Sequence, residues 1–399
     1  METFIELLEY SHTKPVINTH AHHQKDAFFG KFNLSRLLRS SYVHWIGGSF
    51  EDDHESLSQY VQRMRFNSYF VWLERSLQRL YHVHHRLDAD NWNTFSLAIA
   101  EAHSESGFHL KVLRNLCHYS HIIQDSYWKP GSDNGHPDLF SPTFRVNMFM
   151  FGFNHTAVDH NGHNAQVVYN QSIADIDDYT AFMRGTIQAA KDSGCVALKS
   201  ALAYDRGLDF CEVSKDKAQK AFGTGGHEPT PSDIKAFQDY VFFQQCRVAA
   251  ELGLPFQIHT GLGQLRKTNP MQLQEVIAKN PDTRFVLFHC GYPWLDETLG
   301  LLHLYPNVYP DLCWLPLIST SAAERMLHEM LEVTTVERIC WGCDTWTAEE
   351  SYGALLAMQH VLASVLSQKI ASGYLKIRDA KSIIDSILYR NARQLYHLP

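Results

Sequence analysis

The segment that best indicates the fold reads Pro15-Val16-Ile17-Asn18-Thr19-His20-Ala21-His22-His23. Val16 and Ile17 are apolar and β-branched, which favours a short buried strand. His20 and His22 stand two apart, so in a strand their side chains point to the same face. Two imidazoles directed at one point suit a metal ion, but they carry little weight alone in a chain with 24 histidines. The prediction of a metal site therefore depends on ligand-type residues at the ends of later strands.

After residue 116 the sequence alternates between apolar runs and amphipathic segments. The runs predict seven further strands, at residues 121–125, 144–151, 195–199, 255–259, 284–289, 307–311 and 338–344. Amphipathic segments predict helices, the longest at residues 173–191, 230–253, 348–371 and 378–395, and a glycine-rich excursion at residues 223–226 precedes the second of them. Alternating strands and helices indicate a parallel sheet, and eight strands predict an α/β fold of the closed (β/α)₈ TIM barrel class.

Residues 26–116 interrupt this alternation with a long stretch of helical apolar periodicity. The stretch is too long for an ordinary loop within a compact domain. We therefore predict one barrel domain over residues 1–399, with a helical insertion after strand one. The insertion is expected to form a lid over the end of the barrel or a surface for a homo-oligomer.

Composition narrows the class of protein. The 399 residues carry a net charge of −8 and no extended Lys/Arg stripe, which argues against nucleic-acid binding. No apolar run is long enough to cross a bilayer, and the acidic start lacks the pattern of a secretory signal. The eight cysteines are scattered, which argues against a disulfide framework. We expect a cytoplasmic enzyme that acts on a small molecule, without a nucleic-acid or membrane partner.

Ligand-type residues recur at the predicted strand ends: Lys199 on strand four, His259 on five, His289 on six and Asp344 on eight. The carboxyl ends of barrel strands face one side, where barrel enzymes keep their active sites. Imidazole and carboxylate ligands without clustered thiolates suit Zn²⁺, or Mn²⁺ as a second choice. Such an ion lowers the pKa of bound water to about 7, and Asp344 can accept its proton. The pattern predicts metal-dependent hydrolysis.

These residues resemble the ligand set of the amidohydrolase superfamily. Shorter segments are similar to its amidohydrolase-related branch (amidohydrolase 2), and to the N-terminal domain of nodulin/glutamine-synthetase-like fusion proteins; they are residues 197–200 with Tyr204, 206–208, 257–263 and 391–396. The resemblance extends from Pro15 to the end of the chain, and only loosely includes the insertion.

The resemblance leaves the number of metal ions open. In binuclear members the strand-four lysine, here Lys199, is carboxylated and bridges two ions, which all five other residues help to bind. In mononuclear members the HxH pair, the strand-five histidine and the aspartate hold one ion, and His289 performs acid–base work. Lys199 then stays an ammonium that pairs with a substrate carboxylate. We favour one ion.

Further residues were placed near the site from their positions after strand ends. Arg206 follows strand four, and its guanidinium suits a substrate carboxylate. Tyr292 and Trp346 follow a ligand closely, so we expect them to line the substrate pocket. Asp125, at the end of strand two, and Arg145, within strand three, are supporting candidates. The three histidines of residues 154–163 lie in a loop without fixed geometry, which disfavours a metal role.

The first functional hypothesis is a metal-dependent amidohydrolase that cleaves an amide C–N bond in a small carboxylate-bearing substrate. A γ-glutamyl amide is expected if the branch resemblance extends to substrate, with Asp344, His289 and Lys199 as catalytic residues. The first alternative is a metal-dependent decarboxylase with the same ligand set. The second is a uronate-type isomerase, which shares the HxH pair and the strand-eight aspartate, although Lys199 counts against it.

Overall fold

The computed structural model describes residues 1–223, 226 and 228–399. It contains one parallel sheet whose seven strands follow each other in chain order, each paired with the preceding strand. The strands are β1 Val16–Ala21, β2 Tyr119–Gln124, β3 Phe140–Arg145, β4 Ala197–Ser200, β5 Phe256–His259, β6 Phe285–Phe288 and β7 Val308–Asp311. Nearly all strand residues are buried, as expected for strands covered by helices on the outside.

Residues 340–345 close the ring in the place of the predicted eighth strand. The Cys340 N–H donates to the Pro310 carbonyl of β7 at 3.0 Å. On the other side, the Asp344 N–H donates to the His20 carbonyl of β1 at 2.9 Å. This segment forms a single β-bridge and no regular strand. Because it bonds to both β7 and β1, the TIM barrel prediction is confirmed.

Eighteen α-helices of four residues or more surround the ring within the described residues. Those between β1 and β2 are α2 Leu34–Arg39, α3 Tyr42–Gly47, α4 His54–Met64, α5 Ser68–Leu80, α6 Trp92–Ala102 and α7 Phe108–Lys111. The others are α1 Glu2–His12, α8 Ala165–Val168, α9 Ile176–Asp192, α10 Lys215–Gln219, α11 Pro231–Glu251, α12 Gln274–Lys279, α13 Leu295–Leu304, α14 Leu315–Ile318, α15 Thr320–Val333, α16 Ala348–Ala371, α17 Ile377–Asp385 and α18 Asn391–Leu395. Within the described residues, no helix is long and apolar enough to cross a membrane.

Three local predictions need correction or comment. Strand three was predicted at residues 144–151, but β3 ends at Arg145 and Asn147–Phe151 form a 3₁₀ helix. A continuous apolar run is common to buried strands and buried helices, so periodicity could not separate them. The helix predicted at residues 378–395 is three consecutive segments, with a π-helical turn at Ser386–Arg390 in the middle. Of the predicted glycine-rich excursion, residues 224 and 225 lie outside the described residues.

Residues 26–116 are helical and attach to the N-terminal end of α16. The Ser76 hydroxyl donates to the Glu349 carbonyl at 2.6 Å, and the Tyr42 N–H donates to the Glu350 carboxylate at 3.1 Å. These contacts place α3 and α5 directly beside the segment that closes the barrel. The role of the insertion as a lid stays a prediction.

Candidate functional site

The six predicted metal-site residues are all buried and lie at the carboxyl ends of the strands. The barrel brings together His20 and His22 from β1 and the residue after it, Lys199 from β4, His259 from β5, His289 after β6 and Asp344 from the closing segment. His289 and Asp344 have φ angles of 62° and 58°, in the left-handed region that residues with a Cβ rarely adopt. Such strain persists where the surroundings hold it, and it is concentrated at functional sites.

The imidazoles converge on one carboxylate. His22 Nε2 lies 3.0 Å from Asp344 Oδ1, and His20 Nε2 lies 3.4 Å from the same oxygen. His289 Nε2 lies 3.8 Å from Asp344 Oδ2 and 3.0 Å from His259 Nδ1. His20, His22 and His289 therefore surround the Asp344 carboxylate, and His259 joins this His–Asp cluster through its contact with His289.

Backbone carbonyls orient three of these rings. His22 Nδ1 lies 2.7 Å from the Asp125 carbonyl and His289 Nδ1 lies 2.9 Å from the Cys313 carbonyl, while His259 Nε2 contacts the Leu262 carbonyl. A carbonyl only accepts, so each of these nitrogens carries the proton and donates. The other ring nitrogen, Nε2 in His22 and His289 and Nδ1 in His259, faces the cluster. Metal-binding histidines are held in this way.

The protonation states of the clustered side chains also suit metal binding. Burial lowers the pKa of His259 well below its usual value and that of His289 to about 4, so both are neutral near pH 7. Burial opposes ionisation of Asp344, but the hydrogen bond and charge of His22 outweigh it and lower the pKa of the carboxyl. Neutral imidazoles and an ionised carboxylate are the forms that bind metal ions. The residues present therefore fit a divalent cation.

Two other groups near the cluster are poorly suited as ligands. Asp125 lies close to His20 and His22, but its carboxylate is occupied by the Arg145 guanidinium. Cys313 lies close to His289 and Asp344, but burial raises the pKa of its thiol well above the usual value. A thiol that keeps its proton is a weak ligand, since metal ions bind the thiolate.

Two cationic side chains face the cluster. Burial lowers the pKa of Lys199 to about 8, and its Nζ lies 3.9 Å from the centre of the Phe288 ring. Arg145 donates to Asp125 from Nη2 at 2.5 Å and from Nε at 3.3 Å. Burial opposes the charge of Arg145, but the Asp125 carboxylate outweighs it and raises the pKa of the guanidinium. A negatively charged substrate would meet both cations beside the metal ligands.

A cavity of about 270 Å³ with aromatic walls is lined by His20, His22, His259, Asp344, Lys199 and Arg145. His289 and Asp125 lie behind these residues and are absent from the described lining. Trp346 packs on His22 with 5.6 Å between the ring centres and an angle of 27°, and contacts Tyr42 at 4.9 Å. Trp45 also lines the cavity and is 58% exposed. Tyr127 and Tyr204 complete the aromatic lining. The cavity therefore combines apolar walls with cationic and metal-binding groups.

Of the three predicted substrate residues, the structure places only Trp346 in the cavity. The Arg206 guanidinium donates instead to the Asp239 carboxylate at 2.9 Å and to the Asp209 carbonyl at 3.0 Å. Arg206 and Tyr292 are both absent from the described cavity lining. The Arg206 guanidinium is therefore held by Asp239 and Asp209 outside this cavity. The substrate role of Tyr292 stays a prediction.

Several cavity residues were not predicted to line it, among them Tyr42, Trp45 and His160. Tyr42 and Trp45 come from α3, in the insertion, and His160 comes from the loop in which a metal role was disfavoured. The Asp205 carboxylate accepts the backbone N–H of His160 at 2.7 Å and lies 3.0 Å from the Nδ1 atom of the His160 ring. Asp205 lies 45 residues from His160 in the chain, so no signal in the sequence indicated the partner that fixes the direction of this loop histidine.

Comparison with known proteins agrees with this arrangement. Residues 219–398 match the model of the family described as Amidohydrolase. The predicted resemblance to the amidohydrolase superfamily is confirmed. The match includes His259, His289 and Asp344, whereas His20, His22 and Lys199 precede it. The match, which includes less than half of the chain, supports the prediction of an enzyme, and cleavage of a C–N bond stays a prediction.

Individual relatives extend the comparison. Protein fluG of Emericella nidulans is 30% identical over 228 residues, which are 53% of this chain and 26% of that protein. The chain thus spans about a quarter of the length of this relative. The finer resemblance to fusion proteins is compatible with this match and stays a prediction.

Two solved structures share the whole barrel. The uronate isomerase of Thermotoga maritima covers 99% of this chain with 97% of its own, at a TM-score of 0.79 and 15% identity. The second is a protein of Lactobacillus casei, provisionally assigned as a metal-dependent hydrolase. The superposition covers 98% of this chain and 97% of that one, with a TM-score of 0.72 and 18% sequence identity. At these identities the likeness establishes the fold alone.

Proposed function

We propose that the protein is a metal-dependent hydrolase that cleaves an amide bond in a small carboxylate-bearing substrate, with a γ-glutamyl amide as the first candidate. The observation that carries the proposal is the joint presence, in one cavity, of the His–Asp cluster and the two cations Arg145 and Lys199. A cluster alone would fit any metal enzyme of this fold. The adjacent cations favour a substrate that carries a carboxylate.

For the metal we propose one Zn²⁺ ion, with Mn²⁺ as the alternative, held by His20, His22, His259 and Asp344. One ion is favoured because the imidazoles surround a single carboxylate. When bound, such an ion polarises a substrate carbonyl and acidifies water. Lys199 fits an ammonium better than a carboxylated bridge, because its Nζ lies over the face of an aromatic ring.

Arg145 and Lys199 would bind the substrate carboxylate. Arg145 uses Nη2 and Nε on Asp125, while Nη1 lies 3.4 Å from His160 Nε2. With the His160 proton on Nδ1 and donated to Asp205, Nε2 accepts one Nη1 proton and leaves the other for the substrate. The buried ion pair with Asp125 fixes the position of the guanidinium while it binds the substrate carboxylate.

Asp344 and His289 would move the proton. Asp344 is ionised at neutral pH and can accept a proton from the attacking water. His289 is neutral, and its Nε2 lies 3.8 Å from the other oxygen of Asp344 behind the cavity lining, so it would act as the acid–base partner of Asp344. Tyr42, Trp45 and Trp346 would contact the departing group and keep bulk water out.

The test is a product analysis on protein loaded with Zn²⁺ or Mn²⁺. γ-Glutamyl amides with alkyl and aryl amines are incubated with the wild type and with Asp344→Asn, and glutamate and amine are both quantified. We expect equimolar glutamate and amine from the wild type and a rate at least about 10³-fold lower in the variant. Absence of amine release from every amide in the panel would contradict the proposal.

A second candidate is a uronate-type isomerase, because the whole chain superimposes on the Thermotoga barrel. The same assay distinguishes it: incubation with a hexuronate would interconvert aldose and ketose forms without amine release. A decarboxylase would release CO₂ from a carboxylic acid. The buried Lys199 beside the cluster, which favours binding of an intact carboxylate, argues for the hydrolase over the decarboxylase. A hexuronate also keeps its carboxylate, so the assay decides between the hydrolase and the isomerase.

A further inference from the structure

A second cavity of about 270 Å³ lies outside the barrel, between α1, α5 and α16. Its polar lining is dominated by His12 of α1, Arg75 and Arg79 of α5, and His360 of α16, with Trp72 beneath them. None of the residues that line it is a glutamate or an aspartate. It shares no lining residue with the cavity that holds the His–Asp cluster.

The two arginines are one helical turn apart and lack partners. Within the described residues neither guanidinium makes a hydrogen bond or an ion pair, and Arg75 only stacks on the Trp72 ring at 4.5 Å. The adjacent Glu74 points away from the cavity and pairs with Arg65 and Arg86. Like charges at this spacing repel each other, so the arrangement is electrostatically unfavourable without an anion.

The flanking helices offer little compensation. His12 Nε2 is buried and has no hydrogen-bond partner among the described residues. On the other wall, His360 Nε2 lies 3.7 Å from the Glu324 carboxylate, which does not line the cavity. Burial lowers the pKa of His12, and the charges of Arg79 and His118 lower it further. The charge of Glu9 raises this pKa, but not enough to cancel the other effects. The groups facing the cavity are therefore mainly donors.

We propose that this cavity binds a multiply charged oxyanion of the phosphate type, either free or as the end of a small organic molecule. Arg75 and Arg79 would hold the oxygens, since guanidinium groups match that geometry, and His12 Nε2 would add a neutral donor. An adjoining cavity of about 380 Å³ shares Arg75, Trp72 and His360 and is lined by hydroxyl side chains. It provides room for an organic portion. The net charge of −8 makes this cationic lining a local exception.

The test is calorimetric titration of the intact protein with pyrophosphate, inorganic phosphate and phenyl phosphate at constant ionic strength. We expect saturable binding at one site per chain, weakened at least about 10-fold in the Arg75→Gln/Arg79→Gln double variant. Arg63→Gln is the matched control, because that arginine also lies over an aromatic ring, Tyr60, but lines neither cavity. Circular dichroism of each variant verifies folding.

The relative affinities identify the source of the anion. Tighter binding of phenyl phosphate than of inorganic phosphate assigns the site to an organic phosphate, and the reverse order assigns it to a free inorganic anion. Absence of binding for all three probes would overturn the proposal. Equal binding in the double variant would also overturn it, because the wild type would then hold an adventitious ion only.

Discussion

Asp344 is the residue on which the candidate site depends. Three imidazoles lie within 3.8 Å of its carboxylate, and its own backbone N–H bonds to the His20 carbonyl. The same residue therefore closes the barrel and completes the proposed ligand set. Its positive φ turns the side chain toward the histidines, which a regular strand residue at this position could not do.

Arg145 allows a direct test of carboxylate binding. In Arg145→Lys the positive charge is kept, but one ammonium cannot hold Asp125 and a substrate carboxylate with the geometry of a guanidinium. We expect KM for a carboxylate-bearing substrate to rise at least about 10-fold, with a much smaller change in kcat. Steady-state kinetics with a γ-glutamyl amide measures both.

Arg206→Lys is the matched control, because its guanidinium pairs with Asp239 outside the cavity. Its KM should stay within about twofold of the wild type. Equal increases in KM for the two variants would show that Arg145 has no special role in substrate binding. Metal content is measured in both variants, so that a disturbed His22–Asp125 contact can be recognised.

At the scale of elements, the start of α16 connects the insertion to the barrel through two adjacent glutamates. The fully buried Glu349 carboxylate accepts hydrogen bonds from His103 Nε2 and the Tyr81 hydroxyl, both at 2.6 Å. Glu350 accepts the Tyr42 N–H at 3.1 Å and the Thr347 hydroxyl at 3.2 Å. One carboxylate thus has a partner that can carry charge, and the other has only neutral partners.

Glu349→Gln should destabilise the protein. Burial opposes the charge of Glu349, but the hydrogen bond and charge of His103 lower the pKa of the carboxyl. A lowered folded-state pKa stabilises the fold above the unfolded-state pKa, and this stabilisation is lost as the pH falls through the folded-state pKa. We expect the free energy of unfolding to drop by about 2–4 kcal/mol near pH 7.

Urea denaturation near pH 7 and at acidic pH measures this effect, and the difference between variant and wild type should shrink on acidification. Hydrogen exchange should show the largest loss of protection in α6 and α7. An unchanged free energy of unfolding at neutral pH would mean that Glu349 does not hold the insertion in place.

Glu350→Gln should stabilise the protein at alkaline pH, in contrast to the destabilising Glu349→Gln. Burial raises the pKa of Glu350 to about 8, so the folded protein keeps a proton that the unfolded chain has lost. Stability from this group is complete below the unfolded-state pKa and falls as pH rises toward the folded-state pKa. Glutamine does not titrate. We therefore expect the free energy of unfolding of the variant to exceed that of the wild type by at least about 1 kcal/mol near pH 8, and by much less near pH 5.

The measurement is urea denaturation of both proteins across that pH range. A difference that stays constant with pH would contradict the raised pKa. The neighbouring Glu349→Gln variant is the control for a general effect of replacing a buried glutamate at this end of α16.

The strands and the ligand positions could be predicted because their determinants are local. Short apolar runs bounded by turn residues mark the strands, and the spacing of His20 and His22 places both rings on one face. Barrel geometry then brings His259 and His289 to the same end. The run after residue 144 misled the prediction because buried helices and buried strands share that composition.

The remaining features depend on contacts between distant segments. Arg206 was assigned to substrate from its place after strand four, but Asp239 on α11 captures its guanidinium. Trp45 lies in the cavity only because the insertion packs beside α16 and the closing segment. No role was predicted for His103, although its Nε2 is hydrogen-bonded to the carboxylate of Glu349, 246 residues away. Sequence spacing contains no information about such partners.

At the scale of the whole molecule, ring closure is what assembles the site. His20 and Asp344 are 324 positions apart, yet a backbone hydrogen bond between them completes the barrel. The metal ligands therefore report on the integrity of the entire ring. A bound ion that joins β1, β5 and the closing segment should also raise the unfolding temperature, since it binds only the folded protein.

The most direct measurement is metal content per chain, by plasma emission spectroscopy, on protein purified without added metal and after reconstitution with Zn²⁺. The wild type, Asp344→Asn and Lys199→Met are compared, with Arg206→Lys as the control. We expect about one equivalent in the wild type, Lys199→Met and the control, and a large loss in Asp344→Asn. Two equivalents that fall in Lys199→Met would contradict the single ion and indicate a carboxylated lysine. No metal in the reconstituted wild type would contradict the central claim.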